Sequence, residues 1–161
     1  MDKMDKNEEI EEIEEIEEIE EPGEVLGLAG HREEHDTKER EQQIEELERY
    51  TREIEADAEN PWNYHFRGGA NFALKRYERA IEDFSKAIEK EPDLFAFLYG
   101  DRGDVYFTLK RYEEAIADYT SAIEIDAYNW MYYGRRGEAY TAIGEYEKAI
   151  ADNLAERARR G

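Results

Sequence analysis

Three octets recur almost unchanged in the second half of the chain: Leu74-Lys75-Arg76-Tyr77-Glu78-Arg79-Ala80-Ile81, Leu109-Lys110-Arg111-Tyr112-Glu113-Glu114-Ala115-Ile116 and Ile143-Gly144-Glu145-Tyr146-Glu147-Lys148-Ala149-Ile150. Ala80, Ala115 and Ala149 stand 35 and then 34 residues apart. That is the period of a repeated two-helix unit that cannot bury its apolar face alone and shares one continuous core with its neighbours. The spacing therefore predicts an all-α array without a sheet, an architecture that binds other molecules far more often than it performs chemistry.

The helical period supports this expectation. Ala80-Ile81-Phe84-Ala87-Ile88 and Ala115-Ile116-Tyr119-Ala122-Ile123 place apolar residues at three- and four-residue steps, as an amphipathic helix requires. No useful length of sequence alternates with period two. A small residue is needed where the two helices of a unit cross, so Gly68, Gly103 and Gly137 are expected to face the Ala80, Ala115 and Ala149 stripes, with large aromatics filling the gaps between units. The extra residue in the first interval is assigned to the turn between Pro92 and Tyr99, because turns tolerate insertions and packed helices do not.

The residues that carry the period resemble the tetratricopeptide repeat, in which an aromatic, a Leu-Gly pair and a Tyr on one helix are followed by Ala, Phe and Pro on the next. The first unit offers Tyr64, Arg67-Gly68, Asn71, Ala80, Phe84 and Pro92. The second offers Tyr99, Arg102-Gly103, Tyr106, Ala115, Tyr119 and Ala127, and the third Tyr133, Arg136-Gly137, Tyr140, Ala149, Asn153 and Gly161. Arg replaces the usual Leu in every copy. The resemblance covers residues 61–161 and implies an α-solenoid of three units: 61–94, 95–129 and 130–161.

A half copy precedes them. Tyr50-Thr51, Ile54-Glu55, Asp57-Ala58 and Asn60 match Tyr119-Thr120, Ile123-Glu124, Asp126-Ala127 and Asn129 at a constant offset of 69. Residues 37–60 are thus expected to hold the second helix of a degenerate unit, over about 37–58. Its Glu46 and Glu53 stand where the full repeats carry Ala, and the resulting polar face suits an N-terminal cap. At the other end Asn153, Glu156 and Arg157 replace Phe84, Ala87 and Ile88, so the array is expected to close there. Arg157, Arg159 and Arg160 suit the negative end of a helix dipole.

Charge is distributed unevenly along the chain. Residues 1–60 carry 25 acidic and 7 basic side chains, a balance of −18, whereas residues 61–161 carry 18 and 15, a balance of −3. Such a field disfavours DNA, RNA and anionic membranes and favours basic proteins or peptides. No apolar run approaches the length of a membrane span, the acidic start is unlike a signal peptide, and the absence of Cys fits a reducing compartment. A cytoplasmic protein is expected. Residues 1–36 form an acidic low-complexity tail. Its Ile10, Ile13, Ile16 and Ile19 recur every three residues, drift around an α-helix and make no apolar stripe. A solvated, disordered arm is expected, ended by Pro22-Gly23. Val25-Leu26-Gly27-Leu28-Ala29-Gly30 is its one apolar patch, a candidate to dock in the array's own groove.

By resemblance the inner face is built from first helices, and the recognition residues are Trp62, His65, Phe97, Asp104, Met131, Arg135 and Glu138. A groove of this kind suits a peptide or protein segment that offers apolar anchors, with Asp104 and Glu138 available to its Lys or Arg. Phe72 and Phe107 either join that face or pack between helices. One subclass of the family grips the C-terminal carboxylate of chaperones with Lys and Asn. Here the matching places hold His65, Gly69, Asp101, Met131 and Arg135, and only Arg135 could meet a carboxylate. Arg67, Arg102 and Arg136 repeat at half-buried places, and Asp83, Asp118 and Asp152 repeat on the second helices. A guanidinium in a dry interface needs a carboxylate, so an Arg–Asp ladder with a structural role is expected.

Motifs that mimic chemistry carry little weight. His31-Arg32-Glu33-Glu34-His35 satisfies an H-x-x-E-H string, but it arises easily in so Glu-rich a segment and lies outside the array. Arg102-Gly103-Asp104 falls inside a helix and cannot present an extended loop. No catalytic residue, metal site or cofactor is expected. The sequence points to a non-catalytic adaptor for a protein or peptide. The alternative is a homo-oligomeric module in which arrays stack or the arm of one chain fills a groove.

Overall fold

A computed structural model describes the backbone over residues 30–92 and 95–161, with side chains from residue 37 onward. The expectations for residues 1–29, including the Ile repeat and the Val25–Gly30 patch up to Ala29, lie outside the described residues. So do the side chains of His31, Glu34 and His35. The chain falls into two compact units, 1–44 and 45–161. The first is described only as the leading part of one helix; the second holds the repeats.

All regular elements among the described residues are α-helices: α1 (Gly30–Ala56), α2 (Pro61–Ala73), α3 (Tyr77–Lys90), α4 (Ala96–Thr108), α5 (Tyr112–Ile125), α6 (Trp130–Ala142) and α7 (Tyr146–Arg160). They pair as α2–α3, α4–α5 and α6–α7, and α3 packs on α4 and α5 on α6. The result is an α-solenoid of three helix pairs preceded by a single helix. α1 starts at Gly30, upstream of the start near residue 37 that matching to later copies suggested, and it ends at Ala56. The α3–α4 connection spans residues 91–95 and the α5–α6 connection 126–129, so the additional residue does lie in a turn.

Local signals explain the boundaries. The Asn60 side chain accepts a hydrogen bond from the Trp62 amide at 3.0 Å, Pro61 follows at the first helical position, and α2 begins there. Asn129 starts α6 in the same way, accepting from the Met131 amide at 3.2 Å. Each first helix ends in a Schellman turn: in the first unit the Arg76 amide reaches the Asn71 carbonyl at 2.8 Å and the Lys75 amide the Phe72 carbonyl at 2.9 Å. This turn demands one left-handed residue, supplied by Lys75 (φ 62°), Lys110 (φ 60°) and Gly144 (φ 82°). Glycine meets the demand without a Cβ penalty; the two lysines bear it.

The core runs along the second helices. Ala80, Phe84 and Ala87 of α3, and Ala115, Tyr119 and Ala122 of α5, are buried, and Val105 of α4 joins the cluster of Ala80 and Phe84. The nearest neighbours of the first two helix-crossing glycines are the aromatics. A Cβ on Gly68 would lie 2.8 Å from Phe84 Cε1, and one on Gly103 would lie 2.8 Å from Tyr119 Cε1. The alanine lies one helical turn earlier on the same face, so the amphipathic pattern alone could not separate the two. In the third unit, where Asn153 replaces the aromatic, a Cβ on Gly137 would lie 2.9 Å from Asn153 Oδ1 and 3.4 Å from the Ala149 carbonyl oxygen. In the first two units the aromatic therefore seals the unit internally.

The two ends of the array differ. Around Leu47, which is buried, the outward positions of α1 within the second unit are Glu45, Glu48, Arg49, Arg52, Glu53 and Glu55, all exposed. At the far end α7 leaves Tyr146, Ile150 and Leu154 exposed at 64%, 59% and 62%. The expected closure of that end is overturned. Asn153 and Arg157 do replace apolar residues, yet a different part of α7 carries an apolar stripe that nothing covers among the described residues.

Candidate functional site

The first helices repeat with the same period as the whole, so positions 62, 97 and 131 are equivalent, as are 66, 101 and 135, and 69, 104 and 138. Along this face two clusters form. On α2 and at the start of α4 an aromatic cluster gathers: the Trp62 ring lies 4.8 Å from Phe95, 5.6 Å from Phe97 and 6.1 Å from Phe66. Phe66 in turn stacks on Tyr50 of α1 at 5.1 Å, and His65 lies 5.0 Å from Phe97. Trp62 and Phe66 remain 39% and 44% exposed. Edge and offset contacts of this kind hold the rings in place while leaving part of each surface wet.

The second cluster is ionic. Asp104 of α4 accepts a hydrogen bond from the Tyr119 hydroxyl at 2.6 Å, and Arg135 of α6 approaches it at 3.7 Å and Glu138 at 3.6 Å. Asp104 and Glu138 thus already share a cation, and Arg135 is held between two acids. Nearby, His65 donates from Nε2 to Asp101 Oδ2 at 2.8 Å, while its buried Nδ1 has no partner among the described residues. Asp104 and Glu138 face one arginine, and Asp101 adds a third carboxylate whose charge acts on Asp104. Burial raises the Asp104 pKa above the ordinary aspartate value, and Asp101 and Glu138 add to the rise against the opposing pull of Tyr119 and Arg135. Burial likewise pushes the Tyr119 and Tyr132 hydroxyls up, reinforced for Tyr119 by Asp104 and for Tyr132 by Asp101, Asp126 and Asp104. The face is therefore a region of negative potential.

Trp62, His65 and Phe97 lie together in the aromatic cluster, and Asp104, Arg135 and Glu138 together in the ionic one. Met131 stands exposed at the start of α6. Phe72 meets Tyr77 at a tilt at 5.9 Å and Phe107 meets Tyr112 edge-on at 5.4 Å, so both serve packing between helices. Phe66, Phe95 and Tyr50 complete the aromatic cluster and escape sequence reasoning. Phe66 stands where the other units carry Asp101 and Arg135, and Phe95 where they carry the capping Asn. A concavity of about 350 Å³ lined by Pro92, Tyr99, Ser121, Glu124 and Ile125 shares no residue with either cluster.

Behind this face runs the row of arginines. Arg67 grips Asp83 with bonds of 3.0 and 2.7 Å, Arg102 grips Asp118 with two of 2.8 Å, and Arg136 grips Asp152 with two of 2.8 Å. Each guanidinium sends its remaining arm to a hydroxyl on the preceding second helix: Thr51 at 3.4 Å, Ser85 at 2.8 Å and Thr120 at 3.0 Å. These hydroxyls recur at 34 and 35 residues, a signal present in the sequence. Burial alone would lower the Arg102 pKa, but the bond to and charge of Asp118 outweigh it and the net shift is upward. In the first unit Asn71 also donates to Asp83 at 3.0 Å. This geometry engages all three nitrogens of the planar fork at once, which the single ammonium of Lys could not do.

Models of the tetratricopeptide repeat match residues 61–94 and 96–129. The second such domain of Spaghetti (RPAP3), solved with the HSP90 peptide SRMEEVD, is 32% identical over 61% of this chain and 90% of its own, with a TM-score of 0.58. The TPR2B domain of yeast Sti1, solved as a pHsp70 complex, is 27% identical over 62% of this chain and 78% of its own, with a TM-score of 0.59. A crystal structure of MamA superposes with a TM-score of 0.69 at 24% identity, over 71% of this chain. The chain spans 66% of that MamA chain and 61% of a second one. No curated protein matches it.

Proposed function

As a member of the tetratricopeptide-repeat family this chain belongs among modules that are generally non-catalytic, and we propose that it is an adaptor that binds a peptide or protein segment along the groove formed by α2, α4 and α6. The observation that supports this reading is the adjacency of an exposed aromatic cluster on α2 and a net-acidic cluster on α4 and α6 along one repeated face. An apolar anchor of the ligand packs on Trp62, Phe66 and Phe97. A Lys or Arg of the ligand meets Asp104 and Glu138, displacing Arg135 from between them. The ligand is therefore a basic segment with an aromatic or large aliphatic side chain. Met131 extends the apolar row toward the third unit, and His65 fixes Asp101.

A carboxylate-terminated ligand such as the HSP90 peptide seen with the Spaghetti domain is a poor fit. The places suited to gripping it carry the internally bonded His65–Asp101 pair, Gly69 and a single Arg135 flanked by acids. Calorimetric titration with three peptides tests the assignment: a Lys-rich one with a single Phe, the same peptide with Glu for Lys, and SRMEEVD. The basic peptide is expected to bind at least about tenfold more tightly than either acidic one, and Trp62→Ala is expected to remove most of its affinity. Equal binding of the acidic peptides, or affinity unaffected at Trp62, would reject the groove as described.

A further inference from the structure

The apolar stripe on α7 is the repeat equivalent of a surface that is covered everywhere else in the array. On α3 the same positions hold Tyr77 and Ile81, half-buried in the cluster that includes Val105 of α4. On α5 they hold Tyr112 and Ile116, likewise half-buried, and two turns further on Ile123 packs against the cluster of Tyr132 on α6. On α7 they become Tyr146 and Ile150, and Leu154 adds a large aliphatic residue where α3 and α5 carry Ser85 and Thr120. Helical spacing sets Tyr146, Glu147, Ile150, Leu154, Arg157 and Ala158 on one side of α7. A stacking surface thus exists on α7 that nothing covers among the described residues.

We propose that this surface is a homodimer interface, in which α7 of one chain packs antiparallel against α7 of a second copy about a two-fold axis. Three observations point to that occupant. The stripe continues the interface by which successive units already stack. The opposite end of the repeat unit is faced by charged residues, so head-to-tail stacking has no apolar partner there among the described residues and an isologous contact is the one that closes. Charge is complementary only in the antiparallel arrangement. An axis between Ile150 and Leu154 places Ile150 opposite Leu154, Tyr146 opposite Ala158 and Glu147 opposite Arg157. Glu147 and Arg157 are exposed and form no ion pair among the described residues, whereas Arg159 is spent on the Ala127 carbonyl at 2.7 Å and Arg160 on Glu156 at 3.6 Å. The like-charged ends of two parallel helices would instead oppose each other.

Light scattering after size exclusion, on the full chain across a concentration series, reads the result directly. A mass of twice the 19.0 kDa chain is expected, with a dissociation constant on the order of 10 µM for so small a contact. Ile150→Glu with Leu154→Glu should weaken association about a hundredfold or more while circular dichroism keeps the helical signal. Glu147→Arg alone and Arg157→Glu alone should each weaken it about three- to tenfold, and the two together should restore it. The exchange leaves the stripe untouched and so remains informative if the double glutamate variant unfolds. A monomer at every concentration, open-ended growth beyond a dimer, or failure of the paired exchange to restore association would each overturn the two-fold interface.

Discussion

Replacing Arg102 by Leu separates a structural arginine from a ligand-binding one. Arg102 holds Asp118 through two bonds of 2.8 Å and Ser85 through a third of 2.8 Å, joining α4 to α5 and to α3 of the preceding unit. Leucine fills part of the volume but leaves Asp118 buried with no counter-charge. Breaking a buried pair from one side costs about 3–5 kcal/mol, and because the guanidinium is partly reached by solvent the lower end applies, about 3 kcal/mol. For an array of this size that lowers the midpoint of thermal unfolding by about 10 °C. Removing both partners, Arg102→Leu with Asp118→Leu, eliminates the stranded carboxylate and should recover most of the loss, leaving about 0–1.5 kcal/mol. Urea unfolding followed by circular dichroism gives both values, and titration of the basic peptide into the same proteins gives binding. A single variant within about 1 kcal/mol of the parent, or a double variant no more stable than the single, would contradict the pairing argument. Peptide binding lost while stability is kept would move Arg102 from the scaffold to the site.

Gly103→Ala brings a Cβ to 2.8 Å from the ring of Tyr119, which is fully buried and tied by its hydroxyl to Asp104, so about 1–3 kcal/mol should be lost. Gly69→Ala meets nothing within 4 Å and should gain about 0.5–1 kcal/mol from helix propensity, making it the control in the same thermal scan. Lys110→Gly relieves a left-handed lysine at φ 60° and should stabilise by about 0.5–1 kcal/mol, with Gly144→Lys doing the opposite. The raised pKa of Asp104 fixes the sign of its pH dependence. The folded state binds that proton more tightly than the unfolded chain, so Asp104 costs stability once pH rises above its folded pKa and the cost vanishes on acidification. Affinity for a basic peptide should accordingly fall on acidification from a pH above the ordinary aspartate range, and Asp104→Asn should flatten that part of the profile.

The period of 34 or 35 residues carried nearly the whole fold: helix pairs, the turn that holds the insertion, and the half unit before the first repeat. Periodicity could not tell which residue a crossing glycine meets, because Ala80 and Phe84 share a face one turn apart and only the depth of interlock separates them. The open end was misjudged for an instructive reason. Asn153, Glu156 and Arg157 differ from the earlier copies and drew attention, whereas Tyr146 and Ile150 are the same residue types as in the interior copies and signalled an interior surface left without its neighbour. Half of the aromatic cluster was likewise hidden. Phe66 and Phe95 occupy places where the other units carry polar residues, so comparison between copies marks them as departures, and only tertiary packing shows that Trp62 joins them.

The arginine row gives the array a direction, and that direction accounts for its unequal ends. Each arginine needs its own unit's aspartate and a hydroxyl from the unit before, so stabilisation of a unit depends on the second helix that precedes it. In the first unit α1 brings Thr51 to Arg67 at 3.4 Å, and it also supplies Tyr50 to stack on Phe66. At the other side no arginine among the described residues draws a hydroxyl from α7, and Leu154 stands in the place of Ser85 and Thr120. The same substitution that ends the polar row completes the apolar stripe. On this account Leu154→Thr should leave unfolding of the array within about 0.5 kcal/mol, as expected for an exposed position away from any partner, while weakening self-association measured by light scattering. Destabilisation of the isolated array by several times that amount would mean that Leu154 packs within its own chain, and the link between the end of the row and the exposed stripe would fail.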